Sequence, residues 1–185
     1  MASTATSSSG ATCSRATSST PGEKVALFWD INTCPIKNYY ANHLESINTV
    51  LKEINPNYRV STTTKIICGD IKKCMNEATQ DYFRELGFEI CHAEERDPRC
   101  DLHEKRKPDN PEPAFALLVK VMEFLVERPH HAKNIFIISG DYRFKHTMKM
   151  LLESNWTTFL AKKKDSNTKS TKYATYTWNW EDIEG

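Results

Sequence analysis

Short continuous apolar runs alternate along the chain with stretches in which apolar residues recur at helical spacing. Runs of four to eight apolar or β-branched residues between polar residues are typical of strands that are buried on both faces. Such runs predict strands at 24–30, 60–68, 88–92, 134–139, 156–161 and 173–180.

Helices are predicted between these runs, where apolar residues recur every three or four positions. The helical repeats lie at 44–54, 75–86, 115–125 and 144–152. Pro56 and Pro129 end the first and third repeats, and Gly87 follows the second, where a left-handed C-terminal cap is expected. Because parallel strands need a crossover connection, this alternation predicts βαβ units and a mostly parallel sheet. The predicted fold class is therefore α/β.

Two segments fall outside this pattern. Residues 1–22 contain 16 Ala, Ser or Thr residues, one Arg and no acidic residue, which predicts a disordered leader before a single domain at 23–185. The same composition is compatible with an organelle transit peptide, whereas the lack of an apolar run argues against an ordinary secretory signal. Residues 93–113 are charged and carry four prolines, which predicts a long loop.

Charge and hydropathy restrict the partners of the chain. Its 25 Lys and Arg residues against 24 Asp and Glu give a net charge of +1, so any contact with nucleic acid must depend on local rather than long-range charge. The longest apolar run is the six residues 114–119, far short of the ~20 that span a bilayer. We therefore expect no membrane partner.

The six cysteines are scattered without a repeated spacing, which predicts reduced thiols in an intracellular, reducing compartment, either cytoplasm or nucleus. Cys91, His92, Cys100 and His103 have the residue types of zinc ligands but lack the paired C-x-x-C spacing. The alternative is that they form a strand end and a polar loop without a metal.

Two aspartates follow the two strands with the most buried pattern. Asp30 ends the first strand, and Asp141 lies in the S-G-D sequence after the fourth. Ligands of open parallel sheets bind beyond the carboxyl ends of the strands, and two carboxylates that share a pocket there repel each other unless a cation such as Mg²⁺ lies between them. The alternative is structural, with Asp141 as a helix N-cap and Asp30 organising the turn at 32–35.

Positive charge is concentrated in a basic loop at 162–172, which begins with Lys162, Lys163 and Lys164. Lysines that contact phosphates give salt-dependent affinity without sequence preference. Tyr176 and Trp178, with Trp180, follow at a spacing of two. This row either stacks unpaired bases or faces the core from one side of a strand.

Residues 28–36 (FWDINTCPI) and 138–144 (ISGDYRF) resemble the NYN domain of the PIN-like ribonucleases, closest to the type found in the meiosis regulator and mRNA stability factor family. The resemblance covers about residues 24–162. It implies a Rossmann-like PIN/NYN three-layer sandwich with a mostly parallel central sheet. It also implies clustered acids that bind Mg²⁺ or Mn²⁺ and hydrolyse single-stranded RNA.

The chain departs from the family pattern at several acidic positions. The family reads W-D-x-E-N-C and S-G-D-x-D-F, so Asn32 and Thr33 stand where Glu and Asn are usual, and Arg143 stands where a second aspartate is usual. Phe115 stands near the place of a further aspartate, for which Asp109 or Glu112 is a candidate replacement. We expect Asp30 and Asp141 to hold one ion rather than two.

Two functions remain open at this point. The first is a metal-dependent ribonuclease of single-stranded RNA, in RNA turnover or regulation of gene expression, in which Asp30, Asp141, Asn32 and Thr33 are catalytic. Its RNA-binding residues would be Arg143, Lys145, Lys162, Lys163 and Lys164. The second is a catalytically degenerate NYN domain that binds RNA or protein, since an arginine grips phosphate but disfavours a metal. In both, a homodimer or protein partner would supply specificity.

Overall fold

The structure is a computed structural model, and it describes residues 23–37, 42–94, 112–128, 133–166 and 169–184. The predicted leader at 1–22 lies outside the described residues, as does most of the predicted long loop, including Cys100, His103 and Asp109.

The described residues form one six-stranded sheet. Its strands are β1 (Lys24–Asp30), β2 (Arg59–Gly69), β3 (Glu89–His92), β4 (Asn134–Ile138), β5 (Thr157–Lys162) and β6 (Tyr176–Asn179). The order across the sheet is β3-β2-β1-β4-β5-β6, and every pairing is parallel. The predicted α/β class and parallel sheet are confirmed.

Helices cover both faces of the sheet. They are α1 (His43–Ile54), α2 (Ile71–Cys74), α3 (Glu77–Glu85), α4 (Pro113–Glu127), α5 (Phe144–Glu153) and α6 (Trp180–Glu184), with a short 3₁₀ helix at Lys169–Tyr173. Side chains of β1 alternate between the two cores. Leu27 and Trp29 pack with α1, α3 and α6, and Ala26 and Phe28 pack with α4 and α5. Both faces of β1 are therefore buried, as its continuous apolar run predicts.

The helix predicted at 75–86 is present as α3, but the short helix α2 just before it was not predicted. The side chain of Asp70 caps α2, and Met75 is extended. Asn76 then caps α3, since its side chain accepts a hydrogen bond from the backbone N–H of Thr79 at 2.8 Å. Gly87 has a positive φ of 79°, which confirms the predicted left-handed cap.

The predicted last strand is shorter than the run at 173–180. It ends at Asn179, and Trp180 begins α6 with 1% of its surface exposed. The Trp180 indole N–H donates to the carbonyl of Pro35 at 3.0 Å. Burial of this large ring against α1 and the loop after β1 outweighs the strand pattern of the segment.

The sheet order reverses between β1 and β4. The chain builds β2 and β3 on one side of β1 and then returns to add β4, β5 and β6 on the other side. The carboxyl ends of β1 and β4 are therefore neighbours at the switch point, which is where open α/β sheets bind ligands. In the described ranges, no helix is long and apolar enough to cross a membrane.

Candidate functional site

Asp30 ends β1 with a fully buried side chain. Its Oδ1 accepts hydrogen bonds from the backbone N–H groups of Asn32 at 3.1 Å and Thr33 at 3.4 Å. Its Oδ2 accepts from the hydroxyls of Thr33 at 2.7 Å and Ser139 at 2.8 Å. A carboxylate offers about four acceptor positions, so these four donors use its hydrogen-bonding capacity.

Burial dominates the electrostatics of Asp30. It raises the pKa of the carboxyl above its ordinary value, although the hydrogen bonds from Thr33 and Ser139 oppose this shift. The donors are neutral, and among the described residues no cationic side chain contributes to the shift in the pKa of Asp30. Hydroxyl and amide dipoles thus stabilise the ionised form of the Asp30 carboxyl.

Ser139 connects Asp30 to Asp141. The Ser139 hydroxyl donates to Asp30 and accepts from the backbone N–H of Asp141 at 3.1 Å. The structure therefore brings the two predicted site aspartates to the same edge of the sheet, as expected for residues that follow neighbouring parallel strands. Sequence reasoning did not single out Ser139, although it lies in the same S-G-D motif. Its position in the sequence, at the end of a buried strand and two residues before Asp141, could have identified it as a site residue.

The Asp141 carboxylate is bound by Arg143. The guanidinium donates from Nε to Oδ1 at 2.9 Å and from Nη2 to Oδ2 at 2.6 Å, and the backbone N–H of Arg143 also donates to Oδ1 at 2.8 Å. Asp141 is not the N-cap of α5, since Arg143 holds that position. The alternative of a structural N-cap is therefore wrong.

Arg143 also contacts the start of α4. Its Nη1 forms an ion pair with Oε2 of Glu112, so Glu112 pairs with the arginine rather than replacing a lost metal ligand. Burial alone would raise the pKa of Asp141, but the hydrogen bonds and charge of Arg143 outweigh it and hold that pKa below its ordinary value. The Asp141 hydrogen bonds in turn raise the pKa of Arg143.

Asn32 and Thr33 connect the loop after β1 to its neighbours. The Asn32 Oδ1 accepts from the backbone N–H of Asp70 at 2.7 Å, and the Thr33 Oγ1 accepts from the backbone N–H of Gly140 at 2.9 Å. Their side chains thus tie β1 to the ends of β2 and β4. The predicted role of these two residues in orienting water or phosphate stays a prediction.

Gly69 makes the close approach of Asn32 to β2 feasible. A Cβ atom at position 69 would lie 2.6 Å from Asn32 Oδ1 and 2.3 Å from Cγ1 of Ile31. Such contacts are shorter than non-bonded atoms tolerate, so only glycine fits without displacement of the loop.

A third acid at this edge, Asp70, is also bound by its own chain. Its side chain is buried, accepts from the backbone N–H of Lys73 and pairs with Lys73 Nζ at 3.1 Å. Within the part of the chain that the structure describes, no group of three or more His, Cys, Asp and Glu residues could hold a metal ion.

The donor set therefore does not fit a resident Mg²⁺ or Mn²⁺ ion. Asp30 directs its oxygens at four protein donors, and both oxygens of Asp141 face a guanidinium. A divalent cation binds carboxylate oxygens that are open to it, and a cation beside Arg143 would be repelled. The expected metal role of Asp30 and Asp141 has no geometric support in this arrangement.

The predicted basic residues lie at the same edge of the sheet but differ in exposure and in the hydrogen bonds that their side chains form. The Lys162 ammonium donates to the carbonyls of Lys163, Lys164 and Ser166 at 3.3–3.4 Å, so it organises its own loop. Lys163 and Lys164 are exposed, and Lys145 is half-buried in the first turn of α5.

Further lysines at this edge, among them Lys37 and Lys72, were not predicted. Lys37 follows β1 and Lys72 follows β2, and both are exposed. Both come soon after a predicted strand, so the rule that places ligands at the carboxyl ends of strands could have found them. The edge thus carries exposed or half-exposed lysines after four of the described strands.

The predicted aromatic row is divided between surface and core. The Tyr176 ring is 38% exposed and stacks on Phe159 with 5.5 Å between ring centroids. Trp178 is half-buried and lies 6.3 Å from the same ring, whereas Trp180 belongs to the core. The prediction that these rings share one buried strand face is therefore wrong for Trp180.

Comparisons with known proteins agree with this architecture. The model of the family described as NYN domain matches residues 24–180. No curated protein matches the chain. A solved structure of a protein of unknown function from Vibrio parahaemolyticus is similar with a TM-score of 0.56 at 15% identity, over 89% of this chain and 96% of that one. At this identity the likeness concerns the fold alone.

Proposed function

The chain belongs to the NYN domain family and has its PIN-like, nuclease-type fold, and we propose that it acts as a non-hydrolytic NYN domain that binds single-stranded RNA. Of the two functions left open by the sequence, this is the one that the geometry supports better. We place its role in RNA turnover or regulation of gene expression, near the meiosis regulator type that residues 28–36 resemble.

The observation that carries the proposal is the ion pair between Arg143 and Asp141. The guanidinium covers both carboxylate oxygens at 2.6–3.1 Å, at the position where the family has a second acid. Hydrolysis of a phosphodiester needs metal ions that generate hydroxide and stabilise the leaving oxygen. An arginine in that place leaves the fold intact and removes the site for that chemistry.

RNA binding is supported by the charges around this pair. Arg143 brings one positive charge against the two negative charges of Asp141 and Glu112, so it reduces their repulsion of a phosphate without cancelling it. Exposed or half-exposed lysines follow three strands at this edge of the sheet. They are Lys72 after β2, Lys145 after β4, and Lys163 and Lys164 after β5. Lysines in this arrangement can track a single strand by its phosphates, with affinity that falls as salt rises.

The test is the affinity of a labelled single-stranded RNA, measured by fluorescence anisotropy over a range of salt concentrations. The paired variant Lys163→Ala and Lys164→Ala removes two exposed cations at the site edge. If both contact phosphates, the slope of log K against log salt falls by about 1.4, at about 0.7 per contact for single strands.

The matched control is Lys24→Ala with Lys52→Ala. Lys24 begins β1 at the opposite edge of the sheet, and Lys52 lies on α1, so the net charge changes equally away from the site. The proposal predicts an unchanged slope for this control. An equal loss in both double variants, or no binding by the unmodified chain, would contradict it.

The second candidate is the metal-dependent ribonuclease, with one Mg²⁺ or Mn²⁺. It is favoured by the Ser139 link, which keeps Asp30 and Asp141 beside each other. Incubation of the same RNA with Mn²⁺ distinguishes the two. Cleavage that chelator, Asp30→Asn and Asp141→Asn each abolish would support the nuclease, whereas intact RNA supports the non-hydrolytic domain.

A further inference from the structure

Cys68 and Cys91 face each other across β2 and β3. They are register partners in this parallel pair, and both side chains pack on the α4 face of the sheet. Adjacent strands lie about 4.8 Å apart, within the Cα separation of about 4.4–6.8 Å that a disulfide spans. The two thiols are hydrogen-bonded to each other, and both are free cysteines.

The two thiols differ in access and in acidity. Cys68 is fully buried, whereas Cys91 is half-exposed near the edge of the sheet. The hydrogen bond from Cys68 lowers the pKa of Cys91 to about 7, and the charge of Lys120 acts in the same direction. Lys120 is held near this edge by Glu89 at 2.9 Å and Glu123 at 3.1 Å. The same hydrogen bond and burial raise the pKa of Cys68.

We propose that Cys91 and Cys68 form a peroxide-reactive thiol pair, in which Cys91 is oxidised first and Cys68 then closes a reversible disulfide. An accessible thiolate next to a second thiol is the arrangement from which sulfenic acids condense to disulfides. In a reducing compartment such bonds are transient.

The reaction balances with hydrogen peroxide as the oxidant. The Cys91 thiolate attacks one peroxide oxygen, the O–O bond breaks and hydroxide leaves, which gives a sulfenic acid. The Cys68 sulfur then attacks the Cys91 sulfur, the S–O bond breaks, and the Cys68 proton leaves with the departing oxygen as water. The hydroxide takes up the proton that Cys91 lost on ionisation, so two thiols are oxidised to one disulfide and one peroxide is reduced to two waters.

The Cys68–Cys91 pair lies next to the end of the sheet that carries Asp30 and Asp141. Cys68 is the register partner of Asp30, and the Cys68 carbonyl accepts a hydrogen bond from the backbone N–H of Ile31 at 3.1 Å. A disulfide at this position therefore joins the strand that supports Asp30 to the edge strand β3.

The experiment treats the full chain with hydrogen peroxide, blocks remaining thiols with N-ethylmaleimide and maps peptides by mass spectrometry without reduction. The expected product is a peptide pair that joins Cys68 to Cys91, two hydrogen masses lighter than the separate peptides. Dithiothreitol should restore both thiols. Cys74→Ser, which changes a half-exposed thiol on α2, is the control and should leave the product unchanged.

A second variant separates the two steps. In Cys68→Ser the resolving thiol is absent while a hydroxyl donor remains beside Cys91, so Cys91 should stop at a sulfenic acid that dimedone labels. The proposal is overturned if the cross-link joins Cys91 to Cys100 or any other cysteine. It is also overturned if Cys68 and Cys91 stay reduced at a peroxide concentration that oxidises free cysteine. A third contradicting result is dimedone labelling of Cys91 that is no greater in the variant than in the unmodified chain.

Discussion

Replacing Arg143 by methionine keeps most of the stem of the side chain and removes the guanidinium from Asp141. Three nitrogen–oxygen contacts of 2.6, 2.9 and 3.1 Å are lost, while the backbone N–H of Arg143 still donates to the carboxylate. Hydrogen bonds to charged groups contribute about 1.5–3 kcal/mol, and fully exposed ion pairs about 0.2–1 kcal/mol. The Arg143 side chain is 33% exposed and the Asp141 side chain 10%, so we expect a coupling free energy of about 1–2 kcal/mol between these limits.

The assay is a double-mutant cycle of urea unfolding with Arg143→Met, Asp141→Asn and both together. Because the pKa of Asp141 is lowered in the fold, its contribution is complete above the ordinary aspartate value of about 3.9. It is lost as the pH falls through the lower folded pKa. The coupling should therefore be constant near neutral pH and disappear in strong acid.

The matched control is the ion pair of Arg84 with Asp81 on α3, which has a contact of 2.7 Å but side chains that are 53% and 63% exposed. Its cycle should give no more than about 0.5 kcal/mol. A coupling for Arg143 and Asp141 that is no larger than this control, or that persists unchanged in acid, would refute the assignment of a partly buried charged pair.

Three further outcomes are expected. Burial raises the pKa of Asp30, so ionisation of this carboxyl weakens the fold of the unmodified chain as pH increases above 3.8. The free energy of unfolding of Asp30→Asn should therefore rise relative to the unmodified chain, by at most about 1.4 kcal/mol per pH unit. Equal pH profiles would contradict this. Gly69→Ala should lower the melting temperature more than Gly140→Ala, since the added Cβ meets Asn32 Oδ1 at 2.6 Å in the first and Ser166 at no less than 3.2 Å in the second; calorimetry with the reverse order would contradict it. Arg143→Asp should acquire Mn²⁺ affinity in isothermal titration, because it exchanges a cation for a carboxylate beside Asp141; absence of binding would show that more than Arg143 excludes the metal.

The α/β class and the mostly parallel sheet could be predicted from the sequence because burial on both faces of a strand leaves a continuous apolar run. The run at 24–30 could only be a central strand, and its neighbour at 134–138 has the same character. Two aspartates at the ends of such strands could accordingly be placed on one edge. The helix α2 was missed because its four residues are too few to show an apolar repeat, and because Gly69 and the cap residue Asp70 are also typical of a turn.

The partners of the acids could not be predicted in the same way. Arg143 lies two residues after Asp141, yet whether its guanidinium turns back to the carboxylate depends on Glu112, which is distant in sequence. Ser139 donates to Asp30 from the end of β4, although it is also distant in sequence, and Thr33 donates to the same oxygen from the loop after β1. Such contacts depend on tertiary geometry, so the sequence indicates where the charges lie and not which group each one meets.

The most direct test of the account is a titration of the unmodified chain with Mn²⁺, followed by the electron paramagnetic resonance signal of the free ion. If the carboxylates of Asp30 and Asp141 are held by Thr33, Ser139 and Arg143, the signal should rise as it does in buffer alone. Uptake of one Mn²⁺ per chain that Asp141→Asn abolishes would contradict the account, because it would show that the ion displaces Arg143 from the site.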